Sequence, residues 1–341
     1  MKILAISDLF VPATVMREAL APLHPDQLHV VEWSNRDRSE LHERIRQIEQ
    51  HGPGAVPPPD QVWPLAAEAD LIVTHLCPLS SELLQHAKEL NMIGVCRGGT
   101  DTIACDKAQE RGIPILSVPG RNAVAVAEFT IGLILAERRN IGRAHWAIRS
   151  GTWRKEFYNI DQETELAGKT VGILGFGSIG QLVVERLTAF DVEILVHDPF
   201  PVTAAIEQLG GKLVELDLLL GRSDILSLHA RADAGQPPLI GARELALMKP
   251  TSYLINTARA RLVDQQALVQ ALQQKQIAGA ALDVFDKEPL DADSPLRQLD
   301  NVTLTPHLAG STREAFHGSP FRLVETIRRH TARAVGNGPN D

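Results

Sequence analysis

The chain has 341 residues and a mass of 37.3 kDa, a length that at about 100–200 residues per domain argues for two domains rather than one small module. With 44% hydrophobic and 22% charged residues it has the composition of a folded globular protein, which excludes wholesale disorder. Its net charge of −8 is spread along the chain, with no basic patch interleaved with aromatics, so small-molecule chemistry is expected and nucleic acid is not.

MKILAISDLF reads as a strand opening at the first residue without a secretory leader, and a reducing cytoplasm is the expected compartment. Three cysteines (Cys77, Cys96, Cys105) are odd in number and lack metal-ligand spacing. Nor do the twelve histidines show HxxxH or HxH spacing joined to acids, so no catalytic metal is expected. Cys96 has no activating base near it in sequence and reads as a buried structural thiol.

Short apolar runs alternate with helix-length segments, the pattern of an α/β fold with parallel sheets and crossover helices. Strands are expected at 2–7, 71–75 and 92–95, with the Pro/Gly-rich stretch 51–64 as a surface loop. A second series is expected from about residue 105: a strand at 115–117, a buried helix at 123–139, a loop around 150–165, and strands near 170–174, 193–197, 224–229, 252–256, 279–284 and 301–305. The apolar part of that helix is too short for a bilayer, which needs about 20 residues, so no membrane contact is expected. After Ala309 only one amphipathic helix, 313–333, and a Gly/Asn/Pro-rich tail, 336–341, remain. A lone helix cannot form a domain. It is expected to return to the first one, giving a discontinuous flavodoxin-like domain (1–102 plus 310–341) with a Rossmann-like domain (103–309) inserted, joined by hinge crossings near 103 and 309.

The run VGILGFGSIG places Gly175, Gly177 and Gly180 as GxGxxG after a strand and at a helix start, where glycines allow a tight turn, close approach of pyrophosphate and tight helix packing. The helix start at Ser178, Ile179 and Gly180 offers free N–H groups to phosphate. Asp198, eighteen residues past Gly180 at the next strand end, suits the ribose hydroxyls and repels a 2′-phosphate, favouring NADH over NADPH. Because Pro199 and Phe200 follow it, Asp198 also reads as a turn cap.

Ligands of open α/β sheets bind beyond the carboxyl ends of strands. Arg259 after YLINTA, Glu288 after AALDVFDK and His307 after VTLTP all fall there. A guanidinium can fork onto the carboxylate of a 2-oxo acid, an imidazole can exchange the hydroxyl proton, and a carboxylate can hold that imidazole protonated. Taken singly, each residue reads equally well as a surface or turn residue.

The stretches CRGGTDTI, VPGRNAVAVAEFTIGLI, GKTVGILGFGSIG, LIGARELALMKPTSYLINTARARLVD, GAALDVFDKEPL and NVTLTPHLAGST together resemble the D-isomer-specific 2-hydroxyacid dehydrogenase family over nearly the whole chain. The resemblance implies Arg259, Glu288 and His307 as the catalytic set and Asp198 as the ribose-binding acid. It also implies Ala258 as a coenzyme-binding residue, Asp283 on the nicotinamide side, the Gly98 and Gly99 amides on the substrate carboxylate, and a homodimer formed mostly by the coenzyme domains. Four departures stand out: Ala260 follows the arginine where Gly is usual, Arg97 replaces Gly, Thr102-Ile103-Ala104 replaces Asn-Ile-Asp, and Arg231 replaces a proline after His229. Arg97 and Arg231 suit a polar or anionic substrate tail, and equally suit surface or interdomain salt bridges. Two other readings share this fold. One is a corepressor-like NAD-sensing protein that keeps the same triad, and the other, a formate dehydrogenase-like enzyme, fits poorly because that group pairs Gln with His.

Overall fold

The computed structural model describes residues 1–33, 37–160, 165–231 and 235–336. The chain forms two compact units, Met1–Asn122 with Thr312–Asp341, and Ala123–Ser311. Of the expected tail at 336–341, residues 337–341 lie outside the described residues.

The first unit is a five-stranded parallel sheet of β1 (Lys2–Ser7), β2 (Gln27–Glu32), β3 (Leu71–Thr74), β4 (Met92–Val95) and β5 (Ile115–Leu116), in the order β2-β1-β3-β4-β5. β1 and β3 are apolar and buried on both faces, as central parallel strands must be when helices cover both sides. β5 pairs with β4, so the segment up to Asn122 belongs here rather than opening the second series; the two-residue ladder is all that marks it.

The C-terminal segment also lies in this unit. Leu323, Val324 and Ile327 pack among Ile3, Ala5, Leu71 and Val73, and Gly94 lets the helix approach, since a Cβ there would stand 2.9 Å from Leu323 Cδ2. The single helix expected over 313–333 is two, Arg313–His317 and Ser319–Gly336. Pro320, which has no N–H and clashes with a preceding turn, is tolerated only near a helix start, so the break falls at Gly318. The expected loop 51–64 is likewise shortened by a helix at Val62–Glu68.

The second unit carries seven parallel strands: β6 (Thr170–Leu174), β7 (Glu193–His197), β8 (Gly211–Leu213), β9 (Ile225–Leu228), β10 (Tyr253–Asn256), β11 (Gly279–Leu282) and β12 (Val302–Leu304). Their order, β12-β11-β10-β9-β6-β7-β8, reverses direction between β6 and β9, the doubly wound pattern whose crevice receives dinucleotides. The helix Ala123–Arg138 packs Ala127, Leu133 and Ile134 against Val171, Ile173 and Ile255. No described helix is long and apolar enough to cross a membrane.

Candidate active site

Three neighbouring strands of the second unit end in register: Asn256 pairs with Leu282, and Leu282 with Leu304. The segments that follow therefore leave the sheet side by side, and they carry Arg259, Glu288 and His307. After β10, Asn256 clamps the turn, its Nδ2 donating to the Arg259 carbonyl (2.9 Å) and its Oδ1 accepting from the Ala258 N–H (3.0 Å). Arg259 itself is exposed, with Nη1 donating to the Ala258 carbonyl at 2.7 Å.

After β11 stands the fully buried Asp283. It accepts from the Thr305 hydroxyl (2.6 Å) and the Leu308 N–H (2.9 Å) on one oxygen, and from the Ala309 N–H (2.8 Å) on the other. The side chain expected beside the nicotinamide thus ties down the segment that bears His307. That segment is under constraint, since His307 adopts φ +54°, a left-handed conformation uncommon for a residue with a Cβ.

His307 Nδ1 lies 2.8 Å from Glu288 Oε2, while Glu288 Oε1 accepts from the Phe285 N–H at 3.0 Å. The hydrogen bond to Glu288 raises the His307 pKa above its ordinary value against the opposing pull of burial, and the charges of Glu288 and Asp283 add to the rise. For Glu288, burial works to raise the pKa, yet the His307 and Phe285 bonds and the nearby charges of His307 and Arg259 together lower it. The charge of Arg259 acts on both partners, and the strand register sets the segment that bears it beside theirs. With Nδ1 committed to the carboxylate, Nε2 is the nitrogen left to meet a reacting oxygen.

On the same sheet edge, each glycine of the loop after β6 has a separate reason. Gly175 has φ +98°, and a Cβ there would meet the Ala230 nitrogen at 2.5 Å. At Gly180 a Cβ would meet the Gly175 carbonyl oxygen at 2.2 Å. A Cβ at Gly177 would meet nothing within 4 Å, so its smallness serves whatever approaches from outside. Gly177 caps the helix Ser178–Leu187 with no side-chain hydrogen bond, leaving the first N–H groups, those of Ser178, Ile179 and Gly180, without a side-chain cap. Where β6 and β9 part, His229 Nε2 lies 2.9 Å from Ser227 Oγ, its Nδ1 is buried with no partner among the described residues, and burial lowers its pKa to about 4. An open cradle, uncapped N–H groups and an orphaned imidazole nitrogen fit a dinucleotide.

Asp198 caps the turn as the sequence suggests and also holds the glycine loop. One oxygen accepts from the Phe176 N–H (2.7 Å) within the glycine loop and the other from the Phe200 N–H (2.8 Å), which fixes the half-buried carboxylate at the end of β7. Each oxygen keeps a second lone pair for a hydroxyl.

Arg97, Gly98 and Gly99 belong to the first unit, directly after β4, and the two glycines are exposed. Arg231 is exposed in the second unit. Neither Arg97 nor Arg231 forms a salt bridge among the described residues. Burial raises the Cys96 thiol well above its ordinary pKa, which suits a structural role and not a nucleophile. The sequence reading missed Asn256 and Thr305; both stand next to a named motif residue, but their roles depend on contacts that spacing does not display.

Residues 131–309 match the family model described as "D-isomer specific 2-hydroxyacid dehydrogenase, NAD binding domain". The chain is 44% identical over 242 residues to a glyoxylate reductase of Thermofilum pendens, covering 70% of each. It is 40% identical over 258 residues to a D-3-phosphoglycerate dehydrogenase of Archaeoglobus fulgidus, covering 75% of this chain and 48% of that one. The chain thus spans about half the length of the phosphoglycerate dehydrogenases it matches. Among solved structures, it is similar to a putative D-isomer specific 2-hydroxyacid dehydrogenase from Polaromonas sp. JS6 66, with TM-score 0.76, 26% identity, and coverage of 98% and 97% of the two chains.

Proposed function

We propose that this chain, which belongs to the D-isomer-specific 2-hydroxyacid dehydrogenase family, interconverts a small D-2-hydroxy acid and its 2-oxo acid with NAD(H). The observation that carries the reading is the His307–Glu288 pair beside the segment that bears Arg259, on the sheet edge that also holds the glycine loop. When bound, the nicotinamide supplies a hydride to the carbonyl carbon or takes one from the hydroxyl-bearing carbon. Arg259 forks onto the substrate carboxylate and polarises the ketone. In reduction His307 Nε2 gives its proton to the carbonyl oxygen, and in oxidation it takes that proton back. Glu288 keeps the imidazolium stable and orients the ring.

Asp198 supports NADH as the preferred coenzyme, since a carboxylate fixed at the end of β7 beside the glycine loop would repel a 2′-phosphate. The test is the rate of NADH and NADPH oxidation with a panel of 2-oxo acids that includes glyoxylate. Turnover with a larger kcat/KM for NADH is expected, and preference for NADPH would remove the assignment of Asp198.

We further infer a homodimer through the second unit, the assembly that the resemblance implies. The helix Ile141–Arg149 and the loop after it leave Ile141, Ile148, Trp146 (72% exposed) and Trp153 (78% exposed) on the surface, large apolar side chains of a kind that subunit contacts cover. Light scattering is expected to read twice the chain mass, and Trp146→Glu to shift it toward one. A parent protein that scatters as a single chain at all concentrations refutes the dimer.

A further inference from the structure

At the carboxyl edge of the first unit's sheet, β1 and β3 are neighbours although β2 lies between them in sequence. This is a topological switch point, the place where an open parallel sheet forms a crevice. Asp8 and His75 follow these two strands and are buried, at 2% and 1% exposure. Asp8 Oδ2 lies 2.9 Å from His75 Nδ1, and Asp8 Oδ1 accepts from the N–H groups of Phe10 (2.9 Å) and Val11 (3.0 Å). Burial lowers the His75 pKa, so the ring is neutral, with Nδ1–H donating to Asp8 and Nε2 an acceptor. That Nε2 is buried and has no partner among the described residues.

Two guanidiniums act on the same ring. Arg97 follows β4, the next strand over, and its buried Nη1 has no partner among the described residues. Arg121 follows β5; it lies 5.0 Å over the Phe316 ring and donates to the Ala315 carbonyl at 3.2 Å. Burial first, and then the charge of Arg97, lowers the Arg121 pKa to about 10. The one carboxylate in this group, Asp8, is already taken by His75 and two backbone N–H groups. Two neighbouring cations without a carboxylate partner, one with a buried unsatisfied donor, are costly unless an anion joins them.

We propose that Arg97 and Arg121, backed by the Asp8-held His75, form an anion subsite within the first unit for a second charged group, carboxylate or phosphate, of the hydroxy acid. The guanidiniums supply donors, and His75 Nε2 accepts from a hydroxyl carried near that group. The assignment of the bound anion to a substrate tail rests on the dehydrogenase reading above; the subsite itself does not.

Calorimetric titration of the full chain with inorganic phosphate and with malonate, at fixed ionic strength and without NADH, tests it. Binding of one or both is expected, with Arg97→Gln weakening it roughly tenfold or more, the scale of a lost charged hydrogen bond. Tighter binding of phosphate assigns a phosphorylated tail, and tighter binding of malonate a dicarboxylic one. Arg121→Gln should act likewise but disturbs the contacts to Phe316 and Ala315; Arg97→Gln, whose Nη1 gives up no protein partner, keeps the test decisive. Failure of both anions to bind, or equal affinity in parent and Arg97→Gln, overturns the subsite. A protein that reduces glyoxylate yet binds neither anion loses the subsite alone, whereas one that binds them and never consumes NADH loses the dehydrogenase reading alone.

Discussion

Replacing His307 with alanine is expected to lower turnover by about two to four powers of ten, the range for loss of a positioned general acid or base, with NADH affinity little changed. The pH dependence follows from the same pair. Glu288 is ionised from below its ordinary value upward, and His307 holds its proton to above its ordinary value, so the charged pair spans the interval between them. Reduction requires imidazolium, and its rate falls as pH rises through the raised His307 pKa. Oxidation requires neutral imidazole, and its rate rises through the same point. Removing the carboxylate charge in Glu288→Gln should move both midpoints to lower pH. The pair's effect on stability is confined to the same interval, lost as pH falls through the lowered Glu288 value and as pH rises through the raised His307 value, and with the two side chains 53% and 37% exposed it is small. Unchanged turnover in His307→Ala would remove this residue from the reaction.

Asp283→Ala should also be damaging, although Asp283 is assigned no contact with substrate. The carboxylate satisfies the Thr305 hydroxyl and the N–H groups of Leu308 and Ala309, donors that flank the left-handed His307. Each donor left buried without an acceptor costs about 1–3 kcal/mol, so a clear loss of thermal stability is expected together with at least a tenfold fall in kcat. Asp283→Asn keeps one carbonyl oxygen while turning an NH2 toward other donors, and should fall between the two. Because the Asp283 charge also contributes to the raised histidine pKa, Asp283→Asn should move the pH-profile midpoint to lower pH, and an unchanged midpoint would contradict that contribution.

Central strands were legible from sequence because parallel strands buried on both faces are short uninterrupted apolar runs, as in LIVT of β3 and TVGIL of β6. Edge strands were not. β2 alternates exposed and partly buried positions over QLHVVE, and β8 is three residues long, so neither shows the apolar run that burial on both faces demands. The limit of the first unit was misread by about twenty residues because β5 pairs through only two positions. At the site, Arg259, Glu288, His307 and the glycines were legible because each follows a strand at motif spacing. What spacing hides is which donor meets which acceptor across distant segments. Asp283 with Leu308 and Ala309, and Asp8 with His75 across 67 positions, are products of parallel registers that bring separate strand ends together.

Chiral analysis of the product formed while NADH is consumed tests the central reading most directly. With an accepted 2-oxo acid, one D-2-hydroxy acid should appear for each NADH oxidised, at a rate that collapses in His307→Ala. Saturable NADH binding with no consumption across a broad panel of 2-oxo acids would contradict the account and leave a coenzyme-sensing protein of the same fold in its place.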